Sequence, residues 1–197
     1  MDDGSGICGD DKEREEGVGL GLGRQIVYFF PVVQTEHSID VDSEIGIVRI
    51  TATGQGITGI SFAEGDVGNT SENYASLTLC KKQLLEYFSG KRNAFHDMPL
   101  AIRGTDFQQR VWSALLDIPF GSTVTYADIT ANIGEPRALR AVGTAVGRNP
   151  FVIVIPCHRV LPSDKAQGIG NYSAGSWRKK WLLEHEGYVP AAPLPTS

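Results

Sequence analysis

Residues 125–147 read TYADITANIGEPRALRAVGTAVG, and this stretch decides the architecture of the chain. Thr125 stands directly before Tyr126, Ala127 and Ile129, where a hydroxyl side chain predicts the cap of a short helix. Gly134-Glu135-Pro136 predicts a tight turn, and a second helix is predicted over about Arg137–Gly147. Two helices joined by a short Gly-containing turn have the outline of a helix-turn-helix. The second helix is built from small residues: Ala138, Ala141, Gly143, Thr144, Ala145 and Gly147. Glycine inside a helix costs roughly 1 kcal/mol relative to alanine, so close approach to another surface is the reason to look for. That surface is either a neighbouring helix, with Arg140 merely solvated, or a nucleic-acid groove. The stretch alone fits both equally.

Upstream, Thr105 and Gln108 form a T-x-x-Q capping box, and Phe107, Val111, Ala114 and Leu115 give one apolar helix face. Met98-Pro99 and an extended Leu100–Arg103 lead into that helix. Before them, Tyr74, Leu77, Leu84 and Phe88 predict a helix over Asn73–Ser89, closed by Gly90, with Cys80 on its apolar side. Strands are predicted at Gln25–Phe30, Ile45–Thr51 and Ile57–Phe62. Residues 1–24 are rich in glycine and acid and predict a flexible tail. Their glycines lack the strand–helix setting of a phosphate loop.

Downstream, the apolar run Phe151-Val152-Ile153-Val154-Ile155 precedes Pro156-Cys157-His158-Arg159-Val160. The run is short and β-branched, which predicts a buried strand ending at Pro156. Cys157 is then a thiol fixed at a strand end beside a histidine, where a base can activate it. Taken alone it would pass for an ordinary buried cysteine.

Composition narrows the class. The 197 residues are 41% hydrophobic and 21% charged, values of a globular chain. No apolar stretch approaches 18 residues, and the chain opens Met1-Asp2-Asp3, so neither a membrane span nor a leader is expected. Three scattered cysteines, Cys8, Cys80 and Cys157, suit reduced thiols inside a cell. Residues 1–102 hold 8 basic and 16 acidic side chains, a net of −8, whereas residues 103–197 hold 10 and 7, a net of +3. The second half can therefore meet DNA although the whole chain is at −5.

Taken together the residues resemble a known family. Pro156–Val160 is similar to the alkyl-acceptor motif of the O6-alkylguanine-DNA alkyltransferases. The likeness extends in order and spacing through Gly104–Trp112, Tyr126, Arg140-Ala141-Val142-Gly143, Asn149-Pro150, Gly170-Asn171-Tyr172-Ser173 and Trp181–Gly187. It is close to continuous over about 79–187 and weaker over 25–62, where Asp42–Gly46 resembles the family's opening hairpin.

The resemblance implies an α/β ribonuclease-H-like domain over 25–99 and a mainly α winged-helix domain over 100–188, with tails at 1–24 and 189–197. It implies irreversible transfer of an alkyl group from O6-alkylguanine, and by extension O4-alkylthymine, in double-stranded DNA to Cys157. One monomer turns over once, without a cofactor. By resemblance His158 activates the thiol through a water, Glu186 orients His158, and Asn149 ties the cysteine segment to the helix-turn-helix. Tyr126 crowds the phosphate of the flipped nucleotide and donates to its base, and Arg140 fills the space left behind. Thr105, Ala138, Ala141, Gly143 and Ser163 are the further DNA contacts, and Val160, Tyr172, Ser173 and Ala174 the base pocket. Some members bind zinc; the matching positions here are Thr53 and Thr58, so no metal is expected. The nucleus is the expected compartment in a eukaryote and the cytoplasm in a bacterium or archaeon. Trp112, Trp177 and Trp181 are expected to pack, and His37, His96 and His185 to lie on the surface.

Two other readings stand beside this one. A lesion binder of the same family would lack the acceptor cysteine, and Cys157 is present. A cysteine hydrolase built on Cys157, His158 and Glu186 would leave the small-residue helix and Arg140 without a purpose.

Overall fold

The computed structural model describes residues 35–65, 74–164, 166 and 168–188, together with the backbone of two short strands. Those strands, β1 (Leu20–Leu22) and β2 (Gln25–Val27), pair antiparallel within a first unit spanning Met1–Gln34. The strand expected over Gln25–Phe30 is thus seen as far as Val27, and β1 falls inside the stretch expected to be a tail. The rest of that tail, and residues 189–197, lie outside the described residues.

The second unit, Thr35–Ser197, carries everything else. Its first half is an antiparallel sheet in the order β3 (His37–Val41), β4 (Ile47–Thr53), β5 (Gly56–Ala63). Alternating apolar residues put Ile39, Val41, Val48, Ile50 and Ile60 into the core beneath helix α1 (Ala75–Phe88). Strand β3 escaped the sequence reading because only Ile39 and Val41 mark its period of two, between Ser38 and Asp40. The outer edge of β5 is not left bare. Ile57 N donates to Pro99 O (2.8 Å), and Ile60 N donates to Pro150 O (2.8 Å) while Val152 N returns a bond to Ile60 O (3.0 Å). The sheet therefore holds both the linker and the segment that leads to Cys157.

The second half is helical. Helix α2 (Asp106–Leu116) and helix α3 (Tyr126–Asn132) each begin with a complete capping box, Thr105 with Gln108 and Thr125 with Asp128. After the turn at Gly134 comes α4 (Leu139–Gly147), and α5 (Ser176–His185) closes the chain. The short parallel pair β6 (Val124–Thr125) and β7 (Val160–Leu161) stands beside the helix-turn-helix. Buried Trp112 donates its indole N–H to Ala145 O (2.9 Å), locking α2 to α4.

One expectation is corrected. Phe151–Ile155 is not a strand: Phe151 alone bridges to Ile60, Val152–Val154 form a turn, and Cys157–Arg159 form a single 3-10 turn. Every residue from Phe151 to Val160 is buried, so an apolar run carries no periodicity to separate strand from coil. The coil bends sharply at Ile153, whose φ of 72° is rare for a β-branched residue. Holding it there costs of order 1–3 kcal/mol, a strain of the kind that collects at functional sites. Cys157 is consequently not at a strand end; Cys157 and His158 are successive residues of one turn.

Candidate active site and nucleic-acid face

Cys157 is 4% exposed, at the start of the 3-10 turn. Asn149, just past α4, holds it. The Asn149 Oδ1 accepts from Phe151 N (2.9 Å), and its Nδ2 donates to Ile155 O (2.7 Å) and to the Cys157 Sγ (3.1 Å). Burial pushes the thiol above its ordinary value, while the Asn149 amide, the Tyr172 hydroxyl and the Lys179 ammonium pull it back down. Burial outweighs these three groups, so the thiol stays protonated until a base takes its proton. Burial first, and then Cys157, keep the Tyr172 phenol well above its usual range, so it stays protonated, and its hydroxyl has no hydrogen-bond partner among the described residues.

The neighbouring His158 is fully buried and its Nε2 lies 2.8 Å from the Glu186 Oε1. Burial tends to raise the Glu186 carboxyl, but bonds to His158 and Arg159 and their charge outweigh it and hold the group at about 2. An ionised carboxylate accepts only, so His158 donates from Nε2. Burial, reinforced by Arg159 and Lys179 against the pull of Glu186, keeps the imidazole below its ordinary value and therefore neutral near pH 7. The Nδ1 lone pair then has no hydrogen-bond partner among the described residues and can receive a proton. A thiol and an imidazole thus share one turn, and a carboxylate is bonded to the imidazole.

Three further residues build this centre, and the sequence reading gave none of them a role. Arg159 clamps Glu186 through Nε (2.7 Å) and Nη2 (3.0 Å) and donates from Nη1 to Ile118 O (2.6 Å). Lys179 is fully buried, donates to Val160 O (2.7 Å), and is brought by burial, against the attraction of Cys157, to about 8. Its signal was readable: Lys179, Leu182, Leu183 and Glu186 share one buried face of α5. Tyr87 donates to the Glu186 Oε1 (2.8 Å). Leu77, Cys80, Gln83, Leu84 and Tyr87 are the buried residues of α1, whereas the helical spacing in the sequence rests on Tyr74, Leu77, Leu84 and Phe88 and passes over Tyr87.

An open pocket of about 680 Å³ lies over the helix-turn-helix, lined among others by Tyr126, Arg140, Gly143, Ser163 and Asn171. Tyr126 lies near enough to Cys157 that the thiol's charge, after burial, raises its phenol. A second pocket of about 520 Å³ is lined by Asn149, Val152, Ser173, Ala174, Trp177 and Arg178 among others. Residues lining both pockets thus flank the thiol. Val160 is buried behind it, and Thr105 lines neither pocket, its hydroxyl accepting from Gln108 N (3.3 Å).

Helix α4 has two faces. Val142, Ala145 and Val146 are buried, whereas Arg140, Ala141, Thr144 and Gly147 are exposed. A Cβ added at Gly143 or Gly147 would meet nothing within 4 Å, so packing inside the protein does not account for these glycines. Ala138 is the N-cap residue of the same helix. Of the tryptophans, Trp112 is buried, but Trp177 is 56% exposed over the Arg178 guanidinium. His96 is exposed; His37 stacks on Tyr74, and His185 stacks on Trp181 and bonds to Tyr87 O, so neither is free on the surface.

Thr53 accepts from Gln55 N (3.3 Å), and the Thr58 hydroxyl donates to Glu36 (3.0 Å). Among the described residues no group of three or more His, Cys, Asp or Glu is placed to hold a metal ion. Among them, too, no helix is long and apolar enough to cross a membrane.

Comparison with known proteins adds the following. Residues 106–188 match the family described as 6-O-methylguanine DNA methyltransferase, DNA binding domain, and residues 38–102 match its ribonuclease-like domain. The chain is 42% identical over 151 residues to a methylated-DNA–protein-cysteine methyltransferase of Methanosarcina barkeri, covering 74% of this chain and 94% of that protein. It resembles the crystal structure of the Mycobacterium tuberculosis O6-methylguanine methyltransferase with a TM-score of 0.67 and 39% identity, over 80% of this chain and 96% of that one. A structure of Mycobacterium tuberculosis OGT in complex with DNA is similar at a TM-score of 0.65 and 40% identity, over 77% and 91% of the two chains.

Proposed function

We infer the function of this chain from its family, for it belongs to the 6-O-methylguanine DNA methyltransferases. It is a methylated-DNA–protein-cysteine methyltransferase, with a small N-terminal sheet domain and a helical C-terminal DNA-binding domain. It repairs DNA directly, taking the alkyl group from O6-alkylguanine onto one of its own cysteines.

Cys157 is the acceptor in this reading. The thiolate attacks the alkyl carbon, an S–C bond forms, the C–O6 bond breaks, and the bonding pair leaves with the guanine. The thiol proton passes to the His158 Nδ1 through a water, and Glu186 stabilises the imidazolium. A thioether does not give the group back, so each molecule acts once, without a cofactor. The target O6 lies inside the duplex, so the nucleotide is flipped out. Arg140, at the rim of the larger pocket, fills the gap in the stack, and Tyr126 meets the flipped nucleotide on its way to the thiol. The open α4 face of Ala138, Ala141 and Gly143, with Ser163 opposite, takes the minor groove, and Tyr172, Ser173 and Ala174 wall the base; O4-alkylthymine enters the same site. All these residues come from one chain, so a monomer suffices. The free thiols of Cys80 and Cys157 fit the reducing interior of a cell, in the nucleus of a eukaryote or the cytoplasm of a bacterium or archaeon.

The observation that carries the reading is the Cys157 sulfur held by Asn149 in the same turn as the His158 imidazole, whose Nδ1 has no hydrogen-bond partner among the described residues. Intact-protein mass and peptide mapping after incubation with a duplex carrying O6-methylguanine test it. One methyl group, retained on Cys157, is expected; no adduct, or an adduct elsewhere, overturns the assignment.

A further inference from the structure

The Glu186 carboxylate accepts five hydrogen bonds. Oε1 receives Tyr87 Oη (2.8 Å), His158 Nε2 (2.8 Å) and Arg159 Nη2 (3.0 Å); Oε2 receives Arg159 Nε (2.7 Å) and Gly121 N (3.3 Å). Four of these come from the helical half. The fifth comes from α1, 99 residues away in sequence. Tyr87 is fully buried, its ring packed against Phe88, Phe95, Phe120 and His185, and its carbonyl accepts from the His185 side chain (2.8 Å). Phenylalanine would fill that space equally well. The hydroxyl is buried to make one bond, on the same oxygen that His158 uses.

We propose that Tyr87 is a positioning residue of the transfer reaction, through which the N-terminal half of the protein sets the basicity of His158 by way of Glu186. The proposal rests on the reading above, in which His158 is the base and Glu186 orients it. A carboxylate oxygen that shares its charge with a phenol O–H pulls less strongly on the imidazole N–H beside it. Tyr87 thereby restrains Glu186 from raising the imidazole into the cationic form, in which Nδ1 could no longer take a proton. The charged and titratable groups around the pair are few. Arg159, from the same turn, and Lys179, from α5, oppose a charged imidazole; Cys157 precedes it; Gly121 N faces Glu186; His185 touches Tyr87 and not the carboxylate. Burial, and then Glu186, keep the Tyr87 phenol protonated well above its ordinary value, so it remains a donor throughout the working range.

The test is the pH profile of single-turnover transfer from free O6-benzylguanine, which needs no DNA, between about pH 5 and about pH 9. Three full-length proteins are compared: the native chain, Tyr87→Phe, and the chain with 3-fluorotyrosine at position 87, a stronger donor of nearly the same size. Tyr87→Phe is expected to move the acid limb upward by about half a unit or more, a loss of about threefold on that limb, with the alkaline plateau within about twofold. The fluorinated protein is expected to move the limb the other way. Profiles that superimpose in pH, differing only in height or in melting temperature, would show that the hydroxyl serves stability alone. Glu186→Gln separates the two layers: if that change leaves rate and profile native, it is the His158–Glu186 relay that has failed. Nitrogen-15 titration of His158 in the Cys157→Ser background reads the same shift without turnover.

Discussion

The α4 face and the Glu186 cluster are built on opposite plans. On α4, small side chains leave Gly143 and Gly147 with nothing among the described residues within 4 Å of a Cβ, and Arg140 stands exposed among them. Around Glu186 the donors come from three separate segments, and both carboxylate oxygens are occupied. One surface is open to solvent; the other is filled by donors from the chain itself. Binding and chemistry are therefore expected to separate, and the sharpest experiments are those able to force them back together.

The largest effect is expected at the thiol. Cys157→Ser replaces a thiol that a base can ionise by a hydroxyl that it cannot, and is expected to abolish transfer, because the nucleophile is gone while the groove contacts remain. Duplex affinity, measured by anisotropy, is expected to stay within about twofold. Methyl transfer by this variant at a near-native rate would remove Cys157 from its role. A collapse of affinity would show that the two regions are one.

Next comes acid. Folding holds the Glu186 carboxyl at about 2, below its unfolded value of 4.5. A depressed carboxyl adds stability that is full above the unfolded value and is lost as pH falls through the folded one. The difference corresponds to about 3 kcal/mol between about pH 5 and about pH 2. Urea denaturation across that range is expected to show the loss in the native chain and a flatter curve in Glu186→Gln. That variant starts lower, by about 3 to 5 kcal/mol, because it leaves the buried Arg159 without its counter-charge. Equal slopes in both proteins would place the acid sensitivity elsewhere.

Arg140→Ala tests the open face directly. An inserted side chain offsets part of the few kcal/mol that flipping a base costs, so repair in duplex DNA is expected to slow by about tenfold or more. Free O6-benzylguanine needs no flipping and is expected to react at nearly the native rate. Equal slowing of the two substrates would make Arg140 structural and would dissolve the distinction between the regions.

The same contrast explains what could be read in the sequence. Capping boxes, the turn at Gly134 and the helix periods are local, and α2, α3 and α4 lie close to where those signals put them. The segment 151–155 obeys no local rule. It is pinned from outside by the β5 edge and the Asn149 amide, and its strand-like composition records only burial on every side. Arg159 and Tyr87 become meaningful only when α1 and α5 bring them to Glu186, a contact made across 99 residues in the case of Tyr87. The motif Pro156–Val160 is legible in the sequence; the partners of its side chains are supplied by the fold.

The smallest effect distinguishes a cap from a contact. Family resemblance gives Thr105 a part in DNA binding, yet here its hydroxyl accepts from Gln108 N and its own N–H donates to the Gln108 Oε1 (2.9 Å). Thr125 has the same arrangement with Asp128 and no assigned DNA role, so it serves as the control. Either Thr→Ala change removes one helix cap and is expected to cost about 1 kcal/mol, a fall in melting temperature of about 2–4 °C. If Thr105 also touches a phosphate, Thr105→Ala alone weakens duplex affinity. The salt dependence then stays unchanged, because a neutral hydroxyl releases no counterion. Equal affinities for the two variants would confine the DNA face to the pocket edge and α4, with α2 serving as its support. A weaker Thr105→Ala complex would carry that face onto the start of α2, beyond the pocket that Arg140 and Tyr126 line.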